Sequence, residues 1–192
     1  MASVKVDDRD QLSAAEQHQV DRAETILKEL IDELTAKLGT LPDTAQVAMA
    51  DGKMLTGAEL KQLWDDIKFV ITTRSYGPGY GGSFDYATKT SYIRHDTVTG
   101  WDIFPSGAEF ITLHELIHSC PPGEAVRQAM WKKYYDENKD DPTMVARYRD
   151  TPEFSEVEEY CYCGARAIME ALNIPVFQGK FTHGYEYGDL TQ

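Results

Sequence analysis

Cations, cysteines and long apolar runs are all scarce in this 192-residue chain. Lys and Arg number 19 against 32 Asp and Glu, a net charge of −13. That balance excludes binding to nucleic acid or to an anionic membrane through bulk electrostatics. A basic substrate or partner would be steered favourably, although acidity also serves plain solubility. Only Cys120, Cys161 and Cys163 carry thiols. An odd number with no framework spacing argues against a disulfide-stapled secreted fold. Cys161-x-Cys163 also lacks the two-residue spacer of a redox or zinc pair. No apolar run approaches the ~20 residues that span a bilayer. Residues 1–10 read as a short polar tail with no signal-peptide core, so a cytoplasmic location in the producing cell is expected. Residues 76–83 are glycine-rich but lack the Gly-Lys-Ser/Thr of a phosphate loop. They read equally well as a flap over a substrate or as a surface connection.

What the chain does have is His114-Glu115-Leu116-Ile117-His118. Histidines at i and i+4 share one helical face, so both imidazoles can bind one metal ion, and the Glu can reach a metal-activated water. This is the working core of zinc peptidases. The surrounding residues predict a helix over 107–119. Ser106 and Glu109 have capping-box spacing at its start, and Pro121-Pro122 stop it. Phe110, Leu113 and Ile117 form an apolar stripe, with Ile111 and Leu116 beside it, which predicts a largely buried helix. Buried His and Glu need partners, and a Zn²⁺ ion is the simplest one.

Zinc catalysis takes three protein ligands and leaves one open position. The remaining histidines, His18, His95 and His183, do not form the short downstream His-x-x-Gly-x-x-His extension. A carboxylate from a later helix is the alternative. Thr151 as N-cap and Pro152 at the first position open such a helix. Its apolar stripe is Phe154, Val157, Cys161, Gly164, Ile168 and Ala171. Glu156 and Glu158 flank the stripe, and Glu159 lies on a second face with Ser155, Tyr162, Cys163 and Arg166. Periodicity leaves the choice among these acids open.

The two motifs resemble those of the clostridial neurotoxin light chains and of smaller zinc effector proteases that bacterial pathogens deliver into host cells. The resemblance is carried by Thr112-Leu113-His114-Glu115-Leu116-Ile117-His118, and by Glu158-Glu159 with Gly164 five positions after the second Glu. It covers about residues 92–166. It implies a zincin fold with metal ligands His114, His118 and Glu159, Glu115 as general base, a protein or peptide substrate, and export by a specialised secretion system. In zincins a strand before the metal helix runs alongside the bound peptide, and residues 88–95 have that strand character. On it Tyr92 and Arg94 share one side, Ile93 and His95 the other. Arg166, His183, Tyr185 and Tyr187 are candidates for holding the tetrahedral intermediate. Rival readings are a housekeeping or phage-encoded peptidase, a peptidoglycan amidase or peptidase, and a non-catalytic zincin used as a binding module. Glu115 argues against the last, and a structural zinc site would be closed by a fourth ligand such as Cys120 or Cys163.

The expected architecture is α+β: one mostly helical zincin-like domain, with a small sheet packed on the metal helix. An amphipathic helix over about 13–38 opens on a Ser13/Glu16 capping box and carries Val20, Ala23, Leu27, Leu30, Leu34 and Leu38 on one face. A second helix opens at Thr56/Glu59, with Leu60, Leu63, Trp64, Ile67 and Val70 as its stripe. Asp51-Gly52 marks a turn between short extended pieces. Residues 124–135 predict a further helix, 136–141 a charged loop, and 142–149 another turn or two of helix.

Overall fold

The computed structural model describes residues 2–74, 81–100 and 106–176, and the backbone of 181–182 and 186–187. Helices dominate and a small sheet accompanies them, the α+β class expected. The first helix, α1 (Ala14–Thr40), starts on the predicted capping box, Ser13 and Glu16 each satisfying the other's backbone amide. Its buried face is Val20, Ala23, Leu27, Leu30, Ile31, Leu34 and Leu38. That face packs within the domain, against the sheet and neighbouring helices, rather than forming a coiled coil. Gly39 does not end the helix, which runs on to Thr40.

A hairpin of β2 (Gln46–Ala48) and β3 (Met54–Thr56) follows. Its turn holds Gly52 at φ +79°, a left-handed conformation that glycine adopts without strain. Helix α2 (Gly57–Asp66) opens on the predicted Thr56/Glu59 box. It buries Leu60, Leu63 and Trp64, and the Trp64 indole N–H donates to the Thr35 hydroxyl at 2.8 Å. The helix is shorter than its stripe suggested, because Val70 belongs to a strand.

That strand, β4 (Lys68–Thr72), is central to the main sheet. Strand β1 (Ser3–Val6) and β6 (Thr90–Arg94) flank it in parallel, and β5 (Gly82–Asp85) pairs antiparallel with β6, giving the order β1-β4-β6-β5. Three expectations are corrected here. Residues 3–6 are an edge strand, not part of a polar tail: Val4 and Val6 reach the core beneath alternating exposed residues. Residues 68–72 form a strand, where β-branched residues pack well on a pleated surface. The predicted strand over 88–95 is β6, but it is an inner strand, and His95 begins a short helix, α3 (His95–Gly100). The outer position falls to β5, whose first residues had been read as the end of the glycine-rich loop. Residues 75–80 of that loop lie outside the described residues.

The remaining helices are α4 (Gly107–His118), α5 (Pro121–Asn138), the short α6 (Met144–Arg147) and α7 (Pro152–Ala171). Helix α4 packs against both α5 and α7, and α5 lies against the other flank of α7. Pro121 and Pro122 occupy the first turn of α5, where their missing N–H groups cost nothing, so they open a helix as well as ending one. Helix α5 extends through the first half of the expected charged loop, to Asn138. Two short strands, β7 (Phe181–Thr182) and β8 (Glu186–Tyr187), pair near the C-terminal end. A continuous hydrophobic core runs from Ala2 to Ile174 and includes Leu27, Trp64, Phe69, Ile93, Phe110 and Ile168. Among the described residues, no helix is long and apolar enough to cross a membrane.

Candidate metal centre

Helix α4 is apolar nearly all round, and every residue from Phe110 to His118 is buried. Such a helix belongs between other elements rather than on a surface. Its start differs from expectation. Ser106 sits at φ 60° in the left-handed region, and its hydroxyl makes no capping hydrogen bond, so the Ser106/Glu109 box does not form. In that conformation the Ser106 carbonyl still accepts from the Phe110 N–H, at 3.0 Å.

On α4 the two imidazoles meet at their Nε2 atoms, 3.0 Å apart. Glu158 completes the group from α7: its carboxylate oxygens lie 3.2 Å from His114 Nε2 and 3.5 Å from His118 Nε2. The side chains are 3%, 7% and 19% exposed, so the group is nearly dry. Burial pushes both histidines down to about 4, so at neutral pH they are neutral imidazoles with lone pairs to share. Tetrahedral zinc, bound at about 2.0–2.1 Å, spaces its ligand atoms about 3.3 Å apart. The three observed separations bracket that edge length, and the His, His, carboxylate donor set is one zinc accepts.

Glu159, the acid that the resemblance implied, does not join them. It is exposed, and it lines a separate groove with Lys53, Val126, Met130 and Cys163. The reason is the packing of α7, which has neighbours on two sides. Glu158, Cys161, Tyr162 and Ala165, at i, i+3, i+4 and i+7, form the face turned to α4. The face carrying Glu156, Glu159 and Cys163 turns towards α5 and the β2–β3 turn. Gly164 allows the close approach of α7 to α4, since an added Cβ there would stand 2.8 Å from Ile117 Cγ1.

The cysteines do not close the site. The Cys120 thiol accepts from the Gly123 N–H at the start of α5, and burial pushes it up to about 11. Cys163 lies beside Glu159. The Cys161 sulfur approaches His118 at Nδ1, the side away from Glu158, at 3.4 Å.

Glu115 is buried, and its Oε2 accepts from the Ser91 hydroxyl of β6 at 2.9 Å. The cleft it shares with His114, His118 and Glu158 is also lined by Gly82, Ser83, Phe84 and Tyr86 on the β5 side and by Arg149 and Phe154 opposite. Its volume is about 180 Å³, room for several waters or one small side chain. The cleft therefore gives access to the converging donors beside an edge strand.

Several of these residues escaped the sequence reading. Ser91, Phe84 and Tyr86 stand in or beside strands, with nothing in their spacing to link them to α4. Phe84 stacks on His118 with ring centroids 5.6 Å apart, and Tyr162 stacks on His114 at 4.5 Å. Phe154 was read as core and instead faces the cleft. Among the candidates for holding a tetrahedral intermediate, Arg166 lies over the Phe110 ring, 5.4 Å from its centroid, and is not among the residues lining the cleft. His183 and Tyr185 lie outside the described residues, as does the side chain of Tyr187.

Compared with known proteins, the chain matches no family model, no curated protein sequence and no solved structure.

Proposed function

We propose that this chain is a zincin-type zinc peptidase that hydrolyses peptide bonds with Glu115 as general base. One observation carries the reading: His114, His118 and Glu158 converge at tetrahedral spacing beside the Glu115 carboxylate in an accessible cleft. His114, His118 and Glu158 would hold the zinc. When bound, zinc supplies Lewis acidity, lowering the pKa of a water and polarising the scissile carbonyl.

The chain's own residues would do the rest. Glu115 takes a proton from the attacking water and passes it to the amine of the leaving peptide. The Ser91 hydroxyl holds the Glu115 carboxylate through Oε2, so the proton acceptor keeps one orientation. The burial of His114 and His118 keeps them neutral and available as ligands near neutral pH. Strand β5, at the end of the sheet and along the cleft, suits main-chain pairing with an extended peptide.

The deciding experiment pairs metal analysis with hydrolysis for the parent and Glu115→Gln. The parent should carry about one zinc per chain and cleave unfolded polypeptide; the variant should keep the zinc and lose cleavage. Cleavage retained in Glu115→Gln would refute the mechanism. Cleavage of muropeptides in place of polypeptide would move the assignment to a cell-wall peptidase.

A further inference from the structure

An imidazole that offers its Nε2 lone pair to a metal carries its proton on Nδ1, and the acceptor of that proton sets the ring's orientation. The two histidines of this site differ in that respect. Among the described residues, His114 Nδ1 is buried with no hydrogen-bond partner. The Tyr86 hydroxyl, by contrast, stands 2.9 Å from His118 Nδ1. The Cys161 sulfur is also near, at 3.4 Å, but sulfur is a weak acceptor.

Tyr86 is itself held. Its ring packs edge-on to Phe84, with centroids 4.9 Å apart, and Phe84 stacks on the His118 ring. The Arg127 guanidinium covers the Tyr86 ring, 4.2 Å from its centroid. Arg127 is fixed in turn by a fork to Glu124, with Nε and Nη2 each donating at 2.7 Å. A chain of contacts thus runs from the surface of α5, through Tyr86, to the outer nitrogen of one imidazole.

We infer that Tyr86 is a positioning residue for the metal centre, accepting the Nδ1 proton of His118 and fixing that ring for ligation. The inference rests on the zinc reading of the site. It also gives the turn after the edge strand a second task, tying the wall of the cleft to the metal helix.

The test compares the metal-free full chain with its Tyr86→Phe variant, which keeps the ring and loses the oxygen. Each is titrated with Zn²⁺ against a chromophoric chelator, and urea unfolding of both metal-free proteins is followed alongside. The Zn²⁺ dissociation constant should rise about 10–100-fold in the variant, while its metal-free unfolding transition stays cooperative. An unchanged Zn²⁺ constant in a folded variant overturns the inference and leaves the peptidase proposal standing. A parent with no affinity for Zn²⁺ overturns both. Should the variant fail to fold, nitrogen–proton spectra of the Zn²⁺-loaded parent decide. A slowly exchanging proton on His118 Nδ1, with a cross-peak to the Tyr86 ring, is expected; a proton on Nε2 overturns the assignment.

Discussion

Replacing Gly164 by Ala perturbs the packing that brings Glu158 to the two histidines. Gly164 lies on α7 against Ile117 of α4, and an added Cβ would stand 2.8, 3.0 and 3.2 Å from Ile117 Cγ1, Cδ1 and Cγ2. Both branches of a β-branched, fully buried side chain are in the way, so no single rotation clears them. Overpacking of this kind costs about 1–3 kcal/mol. Against it stands a gain of about 0.4–1 kcal/mol from lowering the entropy of the unfolded chain. The net expectation runs from almost no change to a loss of about 2.6 kcal/mol. Gly39 provides the control: it is also helical, and nothing lies within 4 Å of its added Cβ. Gly39→Ala should therefore stabilise by about 0.4–1 kcal/mol. Urea unfolding of the metal-free proteins measures both changes, and a Zn²⁺ titration reads whether a displaced α7 weakens the site. If Gly164→Ala stabilises as much as Gly39→Ala and leaves Zn²⁺ affinity intact, the close α4–α7 approach does not set the geometry of the centre.

Other perturbations test separate parts of the structure. Glu158→Ala should abolish zinc retention and Glu159→Ala should preserve it, by metal analysis of the purified variants; the reverse pattern would reject the assignment of the third donor. Ser91→Ala should lower the hydrolysis rate about tenfold, the loss of one hydrogen bond to a charged group, while zinc content stays the same. Thr56→Ala removes both reciprocal bonds made by that hydroxyl at the start of α2 and should cost about 1 kcal/mol. Metal-free protein should lose stability as the pH falls from about 6.5 towards 4. In that window the unfolded histidines bind protons, while burial keeps folded His114 and His118 neutral down to about 4. The urea midpoint should fall across this window, and less so in His114→Leu; a midpoint that rises on acidification would contradict the linkage.

Much of the site could be read locally. A helix brings residues four apart onto one face whatever surrounds it, so the sequence alone put His114 and His118 together with Glu115 beside them. The same local rules placed the helix starts at Ser13, Thr56 and Thr151, where a side-chain oxygen meets an amide three residues on. They misjudged Ser106, because that motif needs an extended backbone and Ser106 is left-handed.

The third donor was not legible in this way. Helical phase says which residues share a face, but not which neighbour that face meets. Helix α7 meets α4 on one face and α5 with the β2–β3 hairpin on another, and only that packing separates Glu158 from Glu159. Strand order has the same origin: Ser3 pairs with Lys68 and Lys68 with Thr90, contacts that no local spacing encodes. Ser91 and Tyr86 reach Glu115 and His118 only once that sheet lies over α4. The sequence by itself therefore determined the two histidines and the Glu115 carboxylate beside them, since one helix suffices to align them. The tertiary structure decided the third donor and the residues that orient the site, since these depend on packing between elements distant in the chain.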